Sequence, residues 1–249
     1  MRLDAFGEAV AAADVNGDAV ADIIVGAGGY DGPDGGRVDA GAAFVYFGST
    51  HLAGRMGVEE ADRTFLGADK NDGRGEKLDT GDVDGDGVAD IVVVAMGGDG
   101  PRNGRSNSGA AYVLYGGAGT TTDLDLAIDA AGSVIHGPSS SGRMGTALAV
   151  TDLDGDGRDD VVLGAALASG GGRSLNGAIY VSFSGALSGA VDLSIVGQLF
   201  LYGAMNAASL GAGLAVGDIN ADGRPELITG ANGSLVRTGV GTVIAIALP

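Results

Sequence analysis

A nine-residue acidic segment followed at once by a β-branched run occurs four times, and nothing else in the sequence restricts the fold so strongly. Its fullest copy reads Asp82-Val83-Asp84-Gly85-Asp86-Gly87-Val88-Ala89-Asp90 and runs into Ile91-Val92-Val93-Val94-Ala95. The other copies begin at Asp14, Asp152 and Asp218, so successive starts lie 68, 70 and 66 residues apart. A period of this length marks a repeat array, whose units bury their apolar surface only by stacking on one another. The chain is therefore read as one domain, 1–249, with approximate repeats 1–62, 63–132, 133–197 and 198–249.

Each repeat reads as short strands with no sustained helical period. A first strand of small apolar residues precedes the acidic loop at 8–13, 77–81, 146–151 and 213–217. The β-branched second strand follows the loop. A long Gly-rich connection then leads to a third strand at 42–47, 110–115, 178–183 and 242–248. A fourth strand, at 63–66, 133–135 and 198–202, is read as preceding the next copy. Continuously apolar second strands are what burial on both faces produces. Radial packing of four-stranded antiparallel blades hides such faces and shortens the exposed edges, so the expected class is an all-β propeller with four blades.

Composition removes several alternatives. The 49 glycines have no three-residue period, which excludes collagen, and with no Trp the core must be built from Ala, Val, Ile and Leu. Zero cysteines exclude disulfides, thiolate zinc sites and a cysteine nucleophile. A formal charge of −18 makes non-specific nucleic-acid binding unfavourable, since the phosphate contribution would be repulsive. No run approaches membrane-spanning length, and residues 1–7 contain no apolar signal segment.

Carboxylates packed as tightly as Asp82, Asp84, Asp86 and Asp90 repel one another unless a hard cation lies between them. Oxygen donors around a glycine-permitted turn suit Ca²⁺. The EF-hand begins in the same way but needs a bidentate Glu at its twelfth position. Those positions are Val25, Val93, Leu163 and Thr229, so that motif fails in every copy.

The flanks of the loops carry a resemblance. Phe6-Gly7 before the first loop and Gly26-Ala27 after it resemble the FG-GAP repeat of integrin α-subunit β-propellers. The first dipeptide weakens to Arg74-Gly75, Met144-Gly145 and Leu210-Gly211. The second persists as Gly164-Ala165 and Gly230-Ala231, and is Val94-Ala95 in the second copy. The resemblance implies a hairpin-loop calcium site in each copy, with side-chain ligands at loop positions 1, 3, 5 and 9 and a backbone carbonyl at position 7. The first site would be Asp14, Asn16, Asp18, the Val20 carbonyl and Asp22. The second would be Asp82, Asp84, Asp86, the Val88 carbonyl and Asp90. The third would be Asp152, Asp154, Asp156, the Arg158 carbonyl and Asp160. The fourth would be Asp218, Asn220, Asp222, the Arg224 carbonyl and Glu226. Up to four Ca²⁺ are expected, held tightest at sites two and three and weakest at site four. They would staple the hairpins by binding only the folded state.

Propellers of this family usually have seven blades, whereas four copies are present and the last stops after its third strand. An open array is therefore expected, its ends pairing with another copy in a homo-oligomer such as a dimer, or continuing in a longer chain. A second repeated feature is an Arg four residues before a Gly, at Arg37, Arg105, Arg173 and Arg237. Each guanidinium either fixes its loop through carbonyls or a neighbouring blade's carboxylate, or joins a ring facing an anionic ligand. His51 and His136 occupy unrelated repeat positions and read as surface or loop residues. Neither a Gly-x-Ser-x-Gly elbow nor a Walker-type phosphate loop is present, so no catalytic residues are expected and the chain is not read as an enzyme. The expected role is a calcium-binding adhesion or assembly module for protein or anionic glycan, extracellular or at the cell surface, without membrane insertion. Alternatives are the non-catalytic propeller of a calcium-dependent polysaccharide- or lipid-acting enzyme, or a purely structural scaffold.

Overall fold

Four β-sheets succeed one another along the chain and stack face to face. A computed structural model describes residues 4–49, 54, 57–117, 122–129, 131–195, 199–231 and 242–246. Sheet one contains β1 (Phe6–Ala13), β2 (Asp22–Ala27), β3 (Ala42–Tyr46) and β4 (Arg63–Leu66), paired antiparallel in that order. Sheet two repeats the arrangement with β5 (Arg74–Gly81), β6 (Asp90–Ala95), β7 (Ala110–Leu114) and β9 (Ser133–His136). Sheet three is built from β10 (Ala147–Thr151), β11 (Asp160–Ala165), β12 (Ala178–Ser182) and β14 (Leu199–Tyr202). Sheet four has three described strands, β15 (Leu210–Gly217), β16 (Glu226–Ala231) and β17 (Thr242–Ile246).

Two features differ from the sequence reading. The fourth strand belongs with the three before it: β4 pairs with β3, and Ala42 faces Leu66. Divisions at 63, 133 and 198 therefore cut across the sheets, and sheet one is complete. Sheets one and two also each gain a fifth, parallel strand. These are β8 (Leu124–Asp125) on β4 and β13 (Gly189–Asp192) on β9. Each is lent by the connection that leads to the last strand of the following sheet.

The central strands are buried on both sides because each sheet lies between others. Ile24 packs with Val45, Phe65, Ile91 and Val93 between sheets one and two. Its neighbour Val25 turns to the opposite face, beside Phe44 and Tyr46. Val92, Val113, Val161, Leu163 and Tyr180 fill the space between sheets two and three. Val162, Val181, Leu210 and Leu227 do so between sheets three and four. None of these clusters joins sheet four back to sheet one, so the array is open among the described residues. Alternation within continuous apolar runs follows from the two-residue side-chain period.

The dipeptides flanking the loops have a packing reason. Three of the four Phe-Gly positions are bulges, where pairing slips between Phe6 and Ala9, Arg74 and Lys77, and Leu210 and Gly213, and Gly7 takes φ 88°. A Cβ on Gly26 would stand 2.1 Å from the Gly75 carbonyl oxygen of the next sheet, and one on Gly164 would stand 2.1 Å from that of Gly211. The glycine after one loop and the glycine before the next are thus backbone-to-backbone contacts. In the second copy Val94 replaces the first member. Its side chain occupies the space above Gly145, where a Cβ would meet Val94 Cγ1 at 2.0 Å.

Candidate metal centres

The acidic segments are hairpin loops closed by the pairs Ala13–Asp22, Gly81–Asp90, Thr151–Asp160 and Gly217–Glu226. All four lie at one end of the stack. The position-1 carboxylate organises each loop by accepting backbone N–H groups. Asp82 Oδ1 accepts from Gly85 at 2.7 Å and Asp86 at 3.0 Å, and its Oδ2 accepts from Gly87 at 2.9 Å. Asp14 and Asp152 repeat the pattern, and Asp218 keeps the bonds from Asp222 and Gly223. Desolvation pushes the partly exposed Asp14 carboxyl up, but the amide bonds from Ala19, Gly17 and Asp18 outweigh it and hold the group below its usual range. Asp218 is held low chiefly by the Gly223 amide. The position-5 carboxylates of Asp18, Asp86, Asp156 and Asp222 accept from the residue whose carbonyl is the expected position-7 ligand, Val20, Val88, Arg158 or Arg224.

These turns need left-handed backbone at positions 4 and 6. Gly85 and Gly87 have φ of 79° and 87°, and Gly155 and Gly157 match them. Ala19 and Ala221 hold the same geometry in sites one and four, at 66° and 62°. A Cβ there is strained by about 1 kcal/mol.

Positions 1, 3 and 5 converge. One carboxylate oxygen from each of Asp82, Asp84 and Asp86 lies within 4.8 Å of the others, and so do those of Asp152, Asp154 and Asp156. These all-oxygen triads fit a hard divalent ion that the same backbone loop encloses. Sites one and four gather differently. Asn16 Nδ2 donates to Asp18 Oδ2 at 3.3 Å. Asn220 Nδ2 donates to Asp222 Oδ2 at 3.0 Å and to Glu226 Oε1 at 2.6 Å. An amide N–H there bonds the carboxylate oxygens that a cation would join in sites two and three.

Position 9 has a second task that the sequence did not disclose. Asp90 is fully buried, with Oδ2 accepting from Val83 at 2.8 Å and Oδ1 from Gly116 at 2.8 Å. Asp22 accepts from Val15 and Gly48, and Asp160 from Leu153 and Ser184. Each carboxylate ties its loop to the end of the third strand. Glu226 reaches Ile219 and Asn220 but makes no such bond to the third strand among the described residues. Burial pushes the carboxyls of Asp90 and Asp160 up to about 6 despite these amides. A bound cation would oppose that shift.

Neighbouring hairpins are also joined. The Asp14 carbonyl accepts from Ala89 at 3.1 Å, and that of Asp82 accepts from Asp159 at 2.8 Å. The equivalent donor for Asp152 would be position 8 of the last loop, but Pro225 has no N–H.

At the opposite end, two of the repeated arginines are committed to carboxylates. Arg37 forks onto both oxygens of Asp125 on β8 and donates to the Gly67 carbonyl. Arg105 forks onto Asp192 of β13, at 2.7 and 3.0 Å, and also donates to Ser194 Oγ. These are the neighbouring-blade carboxylates of the first reading, not a ring facing solvent. The Asp125 carboxyl is held low by the Arg37 hydrogen bonds. Burial raises that of Asp192, but Arg105 and Ser194 outweigh it. Arg173 is exposed, and among the described residues its guanidinium donates to the Gly171 carbonyl at 3.5 Å, while Arg237 lies outside the described residues. Asp125 and Asp192 were not singled out from sequence. Their only signal is the similarity of Leu124-Asp125-Leu126 to Val191-Asp192-Leu193. His136, expected on the surface or in a loop, is half-buried in strand β9, and burial holds its imidazole below its usual value. His51 lies outside the described residues.

Four sheets that each carry such a loop between their first two strands define a class. The FG-GAP repeat family matches residues 6–46, 74–114, 144–182 and 210–246, more than half of the chain, and the chain belongs to it. Among individual proteins it is 33% identical to phosphatidylinositol-glycan-specific phospholipase D of Bos taurus over 160 residues, which is 63% of this chain and 18% of that protein. The Rattus norvegicus counterpart is 34% identical over 151 residues, covering 59% and 17%. Integrin alpha-4 of Xenopus laevis is 33% identical over 170 residues, covering 65% and 14%. The chain therefore spans less than a fifth of the length of these relatives.

Proposed function

We propose that this chain is a calcium-stabilised FG-GAP propeller module that presents the loops opposite its metal sites to a protein or anionic glycan, in an extracellular setting. The observation that carries the calcium reading is the pair of aspartate triads, Asp82-Asp84-Asp86 and Asp152-Asp154-Asp156, each gathered within 4.8 Å on a turn built from left-handed glycines. When bound, the ion supplies charge neutralisation and cross-linking. The chain's own part is to hold the oxygens together through backbone amides before the ion arrives. Calorimetric titration of chelator-treated protein with Ca²⁺ tests this. Two or more sites saturating in the micromolar range support it, and absence of heat and of any thermal shift overturns it.

Association through the ends belongs to the same proposal. The outer face of sheet one is covered by its own aromatics: Phe44 meets Phe6 at 5.8 Å and Tyr30 at 5.3 Å, and Tyr46 donates to the Gly57 carbonyl. Sheet four has no such cover among the described residues, and Val243 is 76% exposed. Pairing is expected through sheet four. The second reading is the non-catalytic propeller part of a lipid-acting enzyme. It draws support from the phospholipase D relatives and predicts no hydrolysis by this chain alone. No helix among the described residues is long and apolar enough to cross a membrane.

A further inference from the structure

Sheets one and two each have their outer edge closed by a borrowed parallel strand, and among the described residues sheet three does not. On sheet one, Leu66 faces Asp125, and the Leu126 N–H donates to the Leu66 carbonyl at 3.1 Å. On sheet two, His136 faces Asp192, and the Leu193 N–H donates to the His136 carbonyl at 3.2 Å. In both, the aspartate at that register receives the two-pronged bond from the arginine of the same sheet's long loop, Arg37 or Arg105. The clasp thus has three parts: an edge carbonyl, an arginine, and an incoming apolar-Asp-Leu segment.

Sheet three supplies the first two parts without the third. Tyr202 holds the register of Leu66 and His136, since Ala178 faces it as Ala42 and Ala110 face those residues. Arg173 stands at the repeat position of Arg37 and Arg105, with no carboxylate in reach among the described residues. Among the described residues β14 is the last strand of its sheet, and its outer edge pairs with none of them. Unpaired edges are templates for an added strand, and an arginine not held by a carboxylate, at the repeat position of the two clasping arginines, selects for a carboxylate at a fixed register.

We infer that the β14 edge and Arg173 form a docking site for an extended segment from another polypeptide, running parallel to β14 and carrying an apolar-Asp-Leu triplet whose aspartate pairs with Arg173. Charge complementarity and the two internal precedents of the same register carry this. The inference rests on the chain being an interaction module, but not on calcium.

The test uses the 249-residue chain and a synthetic peptide of its own residues 122–129, Thr-Asp-Leu-Asp-Leu-Ala-Ile-Asp. Backbone amide shifts are followed by NMR as the peptide is added. The expected result is saturable shifts along β14 and around Arg173, with a dissociation constant on the order of 1 mM or tighter. Arg173→Ala in the protein, or Asn in place of the central Asp of the peptide, should each weaken binding at least roughly tenfold. Shifts confined to sheets one or four, no shifts at millimolar peptide, or indifference to both substitutions would overturn it. Calcium titration of the same samples keeps the outcomes separate. Peptide binding lost while calcium binding persists defeats this inference alone, and the reverse defeats the calcium reading alone.

Discussion

Hairpins two and three and hairpins one and four share a backbone and differ in one atom type at position 3. Asp84 and Asp154 bring a third negative oxygen into the cluster, whereas Asn16 and Asn220 bring an N–H that bonds a neighbouring carboxylate. The inner pair of loops thus gathers the carboxylate oxygens that a hard cation would join. The outer pair is partly self-neutralised and held less well elsewhere, with Ala19 and Ala221 at left-handed φ and Pro225 lacking the inter-hairpin N–H. Ligand charge tunes calcium affinity, and a local amide donor competes for the same oxygens. The difference teaches that a single isosteric exchange decides whether position 3 adds a carboxylate to the cluster or an amide donor that bonds it.

The largest expected effect that would break this contrast is metal removal. If sites two and three are filled at about 100 times their dissociation constants, each adds about 2.7 kcal/mol of stability. Chelator should then lower the melting temperature by roughly 10–20 °C. A melting curve unchanged between Ca²⁺ and chelator would mean that all four loops behave like the outer ones.

Exchanging position 3 sharpens the comparison. Asp84→Asn with Asp154→Asn should weaken calcium binding at least roughly tenfold yet raise the metal-free melting temperature. Asn16→Asp and Asn220→Asp should do the opposite. Titration calorimetry and metal-free melting on both double variants measure the two halves, and parallel movement of affinity and metal-free stability would refute the trade.

A third contrast sets the clasped sheets against sheet three. Arg105→Ala should cost about 1–2 kcal/mol, because a bidentate, largely shielded pair is lost. Arg173→Ala should cost far less in the isolated chain. The Asp125 and Asp192 carboxyls lie below their unfolded value of 3.8. Their contribution is therefore complete above about pH 4 and disappears as pH falls through the depressed folded values. Acid melting curves of wild type and Arg105→Ala should converge below that range; a constant gap would show the arginine acting through packing instead.

Smallest is the backbone exchange. Ala19→Gly and Ala221→Gly relieve left-handed strain and should each stabilise the chain by about 0.5–1 kcal/mol, read as a rise of a few degrees in melting temperature. The same exchange at the half-buried Ala13, within β1, should be destabilising.

Much of this architecture is written in local patterns. The loop period, the β-branched runs after Asp22, Asp90 and Asp160, and the flanking glycines are each short-range signals. They sufficed for the all-β class, four repeated hairpins and the FG-GAP resemblance. The loop residues that gather in sites two and three were legible because all of them lie within nine positions. The sequence divided the fourth strands wrongly, because a four-residue strand such as Arg63–Leu66 carries no mark of which neighbour it will pair with. Only the packed sheets decided that. They also decided that Arg37 and Arg105 are used on Asp125 and Asp192, 88 and 87 residues away. Strand pairing and ion pairing at such separations depend on which surfaces the stack brings within reach, and no local pattern encodes that.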